Sequence, residues 1–288
     1  MNNPDNPYLK ALSFSLLFIV GLVFVQFVAF TLLTLIRPEI SVAPDKLLEP
    51  ELMLALAWFS SIFILPLTFG FYFIIDKLKW ENMISVINSR NIFISVSLSI
   101  LLVVVYFAFY IGILYYFDFL QLKIRKPERI LSIILFGIFS GVTEEIAIRG
   151  YLLNLFIRNK KYITGIFWTS LFFSGLHVFN PGINMLSLFN IFMVGVFLAL
   201  VTIYTGNLFF SIFFHVIFNF LDLFLGFNLL LTDNDYSLFS VGLVKENLFL
   251  TGGDAGITGS LILTGLLFIS ILVASGLLAK IKMVTKMK

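Results

Sequence analysis

Apolar positions along this chain come in long runs separated by short polar breaks. The runs lie at 11–36, 52–75, 91–117, 130–157, 161–178, 184–205, 207–227 and 257–279. A helix crosses about 30 Å of hydrocarbon with roughly 20 apolar residues, so the pattern predicts eight transmembrane helices. The first run is far longer than the ~7–15 residues of a signal-peptide core and has no small-residue cleavage site behind it, so it is expected to stay in the protein. Pro66 interrupts the second run and is expected to kink it, because proline removes a backbone donor. Two breaks are longer, 37–51 and 228–256. The second carries Asp233, Asp235 and Gly252-Gly253 and reads as a polar loop with turn chemistry. Neither could hold a second domain, and no repeat or heptad pattern is present. The expectation is one transmembrane domain over 1–288.

Composition sharpens this picture. Hydrophobic residues make up 60% of the 288 and charged residues 12%, with 36 Phe and a mean hydropathy of +1.04. A soluble domain carries about 25% charged residues and could not hide this much apolar surface. A soluble enzyme, a disordered chain and a nucleic-acid binder are excluded, and the lipid bilayer is the first expected partner. With no cysteine there is no disulfide framework, thiolate metal site or cysteine nucleophile. Eight spans would put both termini on one side. That side collects eleven basic residues, including Lys10, Arg158 and Lys288, against seven on the other, including Lys123, Arg125 and Arg129. Positive charge favours the cytoplasm, so both termini are expected there, although the basic loop 118–129 runs against the trend.

A charge at the bilayer centre costs at least ~2.5–3.5 kcal/mol, so each ionisable group inside a run is a functional hypothesis. Within the eight runs these are Glu144, Glu145 and Arg149 in the fourth, His177 in the fifth, and His215 and Asp222 in the seventh; the two histidines are the only ones in the chain. Glu145 and Arg149, four apart, share a helical face and can pair. Glu144 is rotated from Glu145 by about 100°, so one carboxylate reads as structural and the other as available for chemistry. His215 and Asn219 also share a face. Each feature has a bland reading: a bracing network, a packed histidine, a His–Asn pair joining helices, and an Asp222 reaching the interface. Their concentration between 144 and 222 favours a site.

Carboxylate, imidazole and amide together suit hydrolysis. A glutamate in a low-dielectric pocket becomes a stronger base towards water. Two histidines and a glutamate could also ligate Zn²⁺, and Asn or His can donate to an oxyanion. There is no phosphate loop, no Ser-His-Asp order and no zincin motif of two histidines flanking a glutamate. Glu144-Glu145 with Arg149-Gly150, then Phe173 with His177, then His215 with Asn219 resemble the CPBP family, the CAAX-endopeptidase and bacteriocin-processing (Abi) intramembrane proteases. The resemblance spans about 144–219, and Ile148 stands where family members often have an aromatic residue.

The resemblance implies an all-α polytopic fold of about eight transmembrane helices, with a catalytic cavity between helices 4, 5 and 7 and a protease core at about 130–227. It implies that Glu144 activates water, that His177 assists it or binds metal, and that His215 and Asn219 bind metal or stabilise the oxyanion. Glu145 and Arg149 would hold the site together. The cofactor is either none or Zn²⁺, with His177, His215 and Glu144 as the candidate ligands. A glutamate that ligates zinc is lost as the base and Asn219 is a weak ligand, which favours the metal-free form. Helical rise puts His215 only roughly 12 Å from the cytoplasmic end of its helix, against roughly 20–24 Å for Glu144 and His177, a mismatch in depth. The absence of cysteine and the Lys-, Ile- and Asn-rich composition point to a prokaryotic plasma membrane. The expected function is an endopeptidase acting on a membrane-protein or peptide-precursor substrate, in bacteriocin-type peptide maturation or self-immunity. The alternatives are a non-catalytic scaffold or immunity protein and a proton-coupled transporter.

Overall fold

The computed structural model describes residues 6–38, 50–78, 92–180, 182–227, 236–244 and 247–286. Pro181, Asp233, Asp235 and several basic residues of the charge count, among them Lys46, Lys79, Arg90, Lys245 and Lys288, lie outside the described residues. Each of the eight apolar runs contains a helix. These are α1 (Pro7–Ile36), α2 (Pro50–Gly70), α3 (Ile92–Tyr116), α4 (Ile130–Glu145), α5 (Tyr162–Gly175), α6 (Met185–Thr205), α7 (Phe209–Leu225) and α8 (Leu261–Lys286). The chain is an all-α polytopic membrane protein.

Six helical stretches among the described residues are long and apolar enough to cross a membrane, and α7, at 17 residues, is shorter. Helix α5 has 14 residues, about 21 Å at 1.5 Å per residue, and so falls short of a full crossing. The expected count of eight is therefore not reached by length. The helical stretches that replace ordinary α geometry are local. Helix α2 continues through Pro66 and opens into a π-turn at Phe71–Ile75. Helix α4 runs into a π-helical stretch, Ile146–Leu153, before a last α-turn at Asn154–Arg158. Such π stretches are uncommon and gather at functional sites.

Two strands interrupt the helical pattern. β1 (Leu120–Ile124) pairs antiparallel with β2 (Phe239–Leu243), Leu120 opposite Leu243 and Ile124 opposite Phe239. Arg125 adds a bond from Nη2 to Ser240 Oγ at 3.1 Å. The stretches expected to be a basic loop and a polar loop are thus tied to each other. The second also forms a one-turn helix, Leu248–Thr251, and a 3₁₀ stretch, Gly253–Gly259, before α8.

Aromatic side chains fill the core. One cluster joins α3, α6, α7 and α8, with Phe210, Phe214 and Phe218 stacked up α7 at 6.1 and 6.0 Å. A second joins α1, α2, α5 and the π stretch, where Phe14 meets Tyr151 at 4.7 Å. Beside this second cluster, the end of the molecule nearest α1's start is tied by Asp76, which accepts from Lys10 at 2.8 Å and from Arg158 at 2.9 Å.

Candidate active site

Glycine spacing brings the site's two main helices together. Gly137 and Gly141 lie one turn apart on α4 and face Val216 of α7 so closely that a Cβ on Gly137 would stand 3.0 Å from the Val216 carbonyl oxygen, and one on Gly141 2.9 Å from Val216 Cγ2. Small residues at this spacing let membrane helices approach backbone to backbone. The register they set places Ser140 against Asn219 and Glu145 against His215. Asn219 Nδ2 donates to Ser140 Oγ at 3.1 Å, and Ser140 Oγ itself donates to the Phe136 carbonyl at 2.8 Å.

Glu145 and Arg149 form the expected pair, at 2.7 Å, with both side chains fully buried. The same carboxylate oxygen, Oε1, also takes His215 Nδ1 at 3.0 Å. An ionised carboxylate only accepts, so Nδ1 carries the proton and Nε2 is left for the cavity that His215 lines. The Arg149 guanidinium lies over the Phe173 ring, 4.4 Å from its centroid. His215 and His177 both meet that ring edge-on, at 5.5 and 4.9 Å. Phe173 is therefore a platform shared by three site residues.

His177 lies just beyond α5, in the turn that follows Gly175, rather than within the helix. Its Nδ1 donates to the Phe173 carbonyl at 2.8 Å; a carbonyl cannot donate, which in the neutral ring leaves Nε2 as the unprotonated nitrogen. Glu144 lies within electrostatic reach of His177. Unlike its neighbour, Glu144 is only partly buried and lines a cavity of about 640 Å³ together with His177, His215, Asn219 and Asp222. Glu145 and Arg149 stand behind the cavity wall and do not line it. The two glutamates are thus divided as their rotation about α4 predicts.

The cavity occupies one end of the bundle. Gln26 late in α1, Met53 early in α2, Phe136 early in α4, Asp222 late in α7 and Thr258 ahead of α8 all line it. This is the end that carries the β1–β2 sheet, opposite the Lys10–Asp76–Arg158 cluster. The depth mismatch of His215 also resolves. Leu208, just ahead of α7, packs on Gly150, where a Cβ would stand 3.2 Å from Leu208 Cδ1. Helix α7 starts roughly two turns inside the end of the α4 segment, so six residues in, His215 is level with Glu145.

Among the described residues no three His, Asp or Glu side chains converge as a set able to hold a metal. Glu144, His177 and His215 face one cavity without forming a three-ligand shell of the catalytic zinc type. Of the other residues, Ser140, Gly137 and Gly141 were not singled out from the sequence. The Gly-x-x-x-Gly spacing inside an apolar run was the available signal for the glycines; for Ser140 there was none beyond a hydroxyl one turn before Glu144.

Comparison with known proteins adds one finding. Residues 126–221 match the family model described as type II CAAX prenyl endopeptidase, Rce1-like, and Glu144, Glu145, Arg149, His177, His215 and Asn219 all fall inside that stretch. No curated protein and no solved structure matches the chain.

Proposed function

From membership in the Rce1-like CAAX protease family, which residues 126–221 carry, we infer that this protein is an intramembrane endopeptidase using glutamate-activated water. At the level of the family it is a CAAX-type membrane endopeptidase with a peptide substrate; the residue roles are our own reading. The division of the glutamates carries it. Glu145 is consumed by Arg149 and His215, while Glu144 faces the cavity beside His177.

In this reading Glu144 takes a proton from a water held between it and His177 Nε2, and the water oxygen forms a bond to the scissile carbonyl carbon. The oxyanion receives hydrogen bonds from Asn219 and from His215, which donates at Nε2 as the imidazolium. As the intermediate collapses, the C–N bond breaks and Glu144 returns its proton to the leaving amine. Each oxyanion donor of this kind supplies about 10²–10³ in rate.

The proton-coupled transporter is the weaker reading, because Asp76 with Lys10 and Arg158, and the Phe14–Tyr151 cluster, occupy the end opposite the cavity. With the termini in the cytoplasm of a plasma membrane, the cavity would face the outside, which suits maturation of a secreted peptide precursor or self-immunity. The test is hydrolysis of an internally quenched peptide panel by purified protein in lipid nanodiscs. Cleavage supports the peptidase, and ion flux without cleavage would return the transporter. A cellular function unchanged in Glu144→Gln would favour a non-catalytic scaffold or immunity protein.

A further inference from the structure

Helix α1 turns a stripe of side chains towards the cavity at intervals of four, Phe18, Leu22, Gln26 and Phe30. Gln26 is the one polar residue between Leu16 and Ala29. Its side chain is exposed and makes no hydrogen bond among the described residues. The other polar groups of the wall are engaged. Every serine and threonine hydroxyl of the lining is hydrogen-bonded within the protein, Asn219 donates to Ser140, and Asp222 has an interaction of its own. Glu144, His177 and His215 belong to the chemistry. Of the described lining residues only Asn180 is similarly unengaged, and it lies in the exposed turn after α5 rather than inside a helix. An amide within an apolar helix is costly when it has no partner, so Gln26 is placed for something that enters the cavity.

A glutamine amide carries a donor and an acceptor side by side in one plane, which is the pattern of a backbone peptide group. A peptide that opens for hydrolysis in a membrane-embedded cavity exposes its N–H and C=O groups where lipid offers no replacement partner. We propose that Gln26 clamps the substrate backbone, its amide hydrogen-bonding the N–H and C=O of an extended peptide two or three residues from the bond that is cleaved. The proposal rests on the peptidase reading of the cavity. The spacing comes from helix register. Phe14 packs on Tyr151 at 4.7 Å, which sets α1 against the antiparallel α4 segment. Glu144 lies seven residues before Tyr151 and is thus level with Gly21, seven after Phe14. Gln26 therefore stands five residues, roughly 8 Å, nearer the cavity mouth than Glu144. An extended chain at about 3.3 Å per residue covers that distance in two or three residues. A clamp on the backbone does not read side chains, which leaves side-chain preference to the apolar wall formed by Phe139, Phe214 and Phe218.

The test separates binding from cleavage. One fluorescent apolar peptide is made as a series in which each backbone N–H in turn is N-methylated, and binding is read by anisotropy to the Glu144→Gln protein in nanodiscs, which does not turn the peptides over. Methylation at one position should weaken binding about tenfold. Adding Gln26→Met, which keeps the length of the side chain and removes its amide, should weaken the unmethylated peptide by a similar factor and bring the penalty at that one position to near one. Adding Gln26→Glu instead, whose carboxyl still accepts from the substrate N–H, should keep the penalty. Conformational effects of methylation persist in all three proteins and so cancel in the comparison. Because Gln26 bonds to nothing in the protein, Gln26→Met should unfold at or above the wild-type midpoint. Unmethylated peptide bound within about twofold by Gln26→Met, or a methylation penalty that Gln26→Met leaves unchanged at every position, overturns the clamp. Wild-type cleavage of the unmethylated peptide, located by mass spectrometry, reports on the peptidase independently. Cleavage without a Gln26-dependent position sinks the clamp alone, and a Gln26-dependent position without any cleavage sinks the peptidase reading while the backbone-binding site stands.

Discussion

Replacing Arg149 by methionine tests the most heavily buried part of the account. Methionine keeps much of the side-chain stem but removes the guanidinium that binds Glu145 at 2.7 Å and covers Phe173 at 4.4 Å. Glu145, fully buried, is left with His215 alone. Breaking a buried pair by removing one partner costs about 3–5 kcal/mol because the remaining charge is uncompensated. His215 remains as a partner, which places the expectation near the lower end, about 3 kcal/mol; a lost cation–π contact adds roughly 0.5–2 kcal/mol. At roughly 2–4 °C per kcal/mol for chains of 150–250 residues, Arg149→Met should lower the unfolding midpoint in detergent by on the order of 10 °C. The second half of the prediction is sharper. The double variant Glu145→Gln/Arg149→Met removes both charges, and replacing a whole buried pair is often close to neutral, so it should recover at least half of the loss. Its activity should stay low, since His215 loses the carboxylate that fixes its tautomer and ring orientation. A midpoint within about 2 °C of wild type for Arg149→Met, or a double variant no more stable than the single one, would refute the reasoning.

Three further outcomes follow. Ser140→Ala removes the oxygen that accepts from Asn219 Nδ2, so kcat should fall about tenfold with KM little changed, and Ser140→Thr, which restores the hydroxyl, should recover most of it; an equal loss in both variants would make the effect one of packing. The native chain has no cysteine, so Asn180→Cys, at an exposed cavity-lining position, should react with a membrane-impermeant maleimide from the side opposite reporter fusions placed at the two termini; labelling from the same side would reverse the cavity's orientation. Hydrolysis should survive dialysis against a strong chelator with substoichiometric zinc by elemental analysis, whereas activity lost on dialysis and restored by zinc would establish a metalloprotease.

What the sequence made legible follows from which forces act locally. Length and apolarity place a helix in all eight runs, because lipid leaves an isolated stretch few other ways to satisfy its backbone. The split between Glu144 and Glu145 was readable from their 100° separation, since a helix fixes direction within a single turn. Relations between distant segments were not readable. Leu120–Ile124 alternates as a strand should, but its partner lies more than a hundred residues on, so the pairing to Phe239–Leu243 had no local signal. The mismatch in depth of His215 came from measuring along one helix, when the start of α7 is set by Leu208 packing on Gly150. The π stretch Ile146–Leu153, which carries Arg149, likewise has no signal in the local sequence.

The most direct test of the central claim compares the two neighbouring glutamates. Glu144→Gln changes one atom at the cavity wall, so hydrolysis of a quenched peptide should fall by at least about 10³-fold, the upper part of the range usual for removing a general base, while the unfolding midpoint stays at the wild-type value. Glu145→Gln should instead lower the midpoint, because it leaves Arg149 buried without its counter-charge. A Glu144→Gln protein that keeps more than about a tenth of wild-type hydrolysis would contradict the account, since a group that performs the proton transfer cannot be this dispensable.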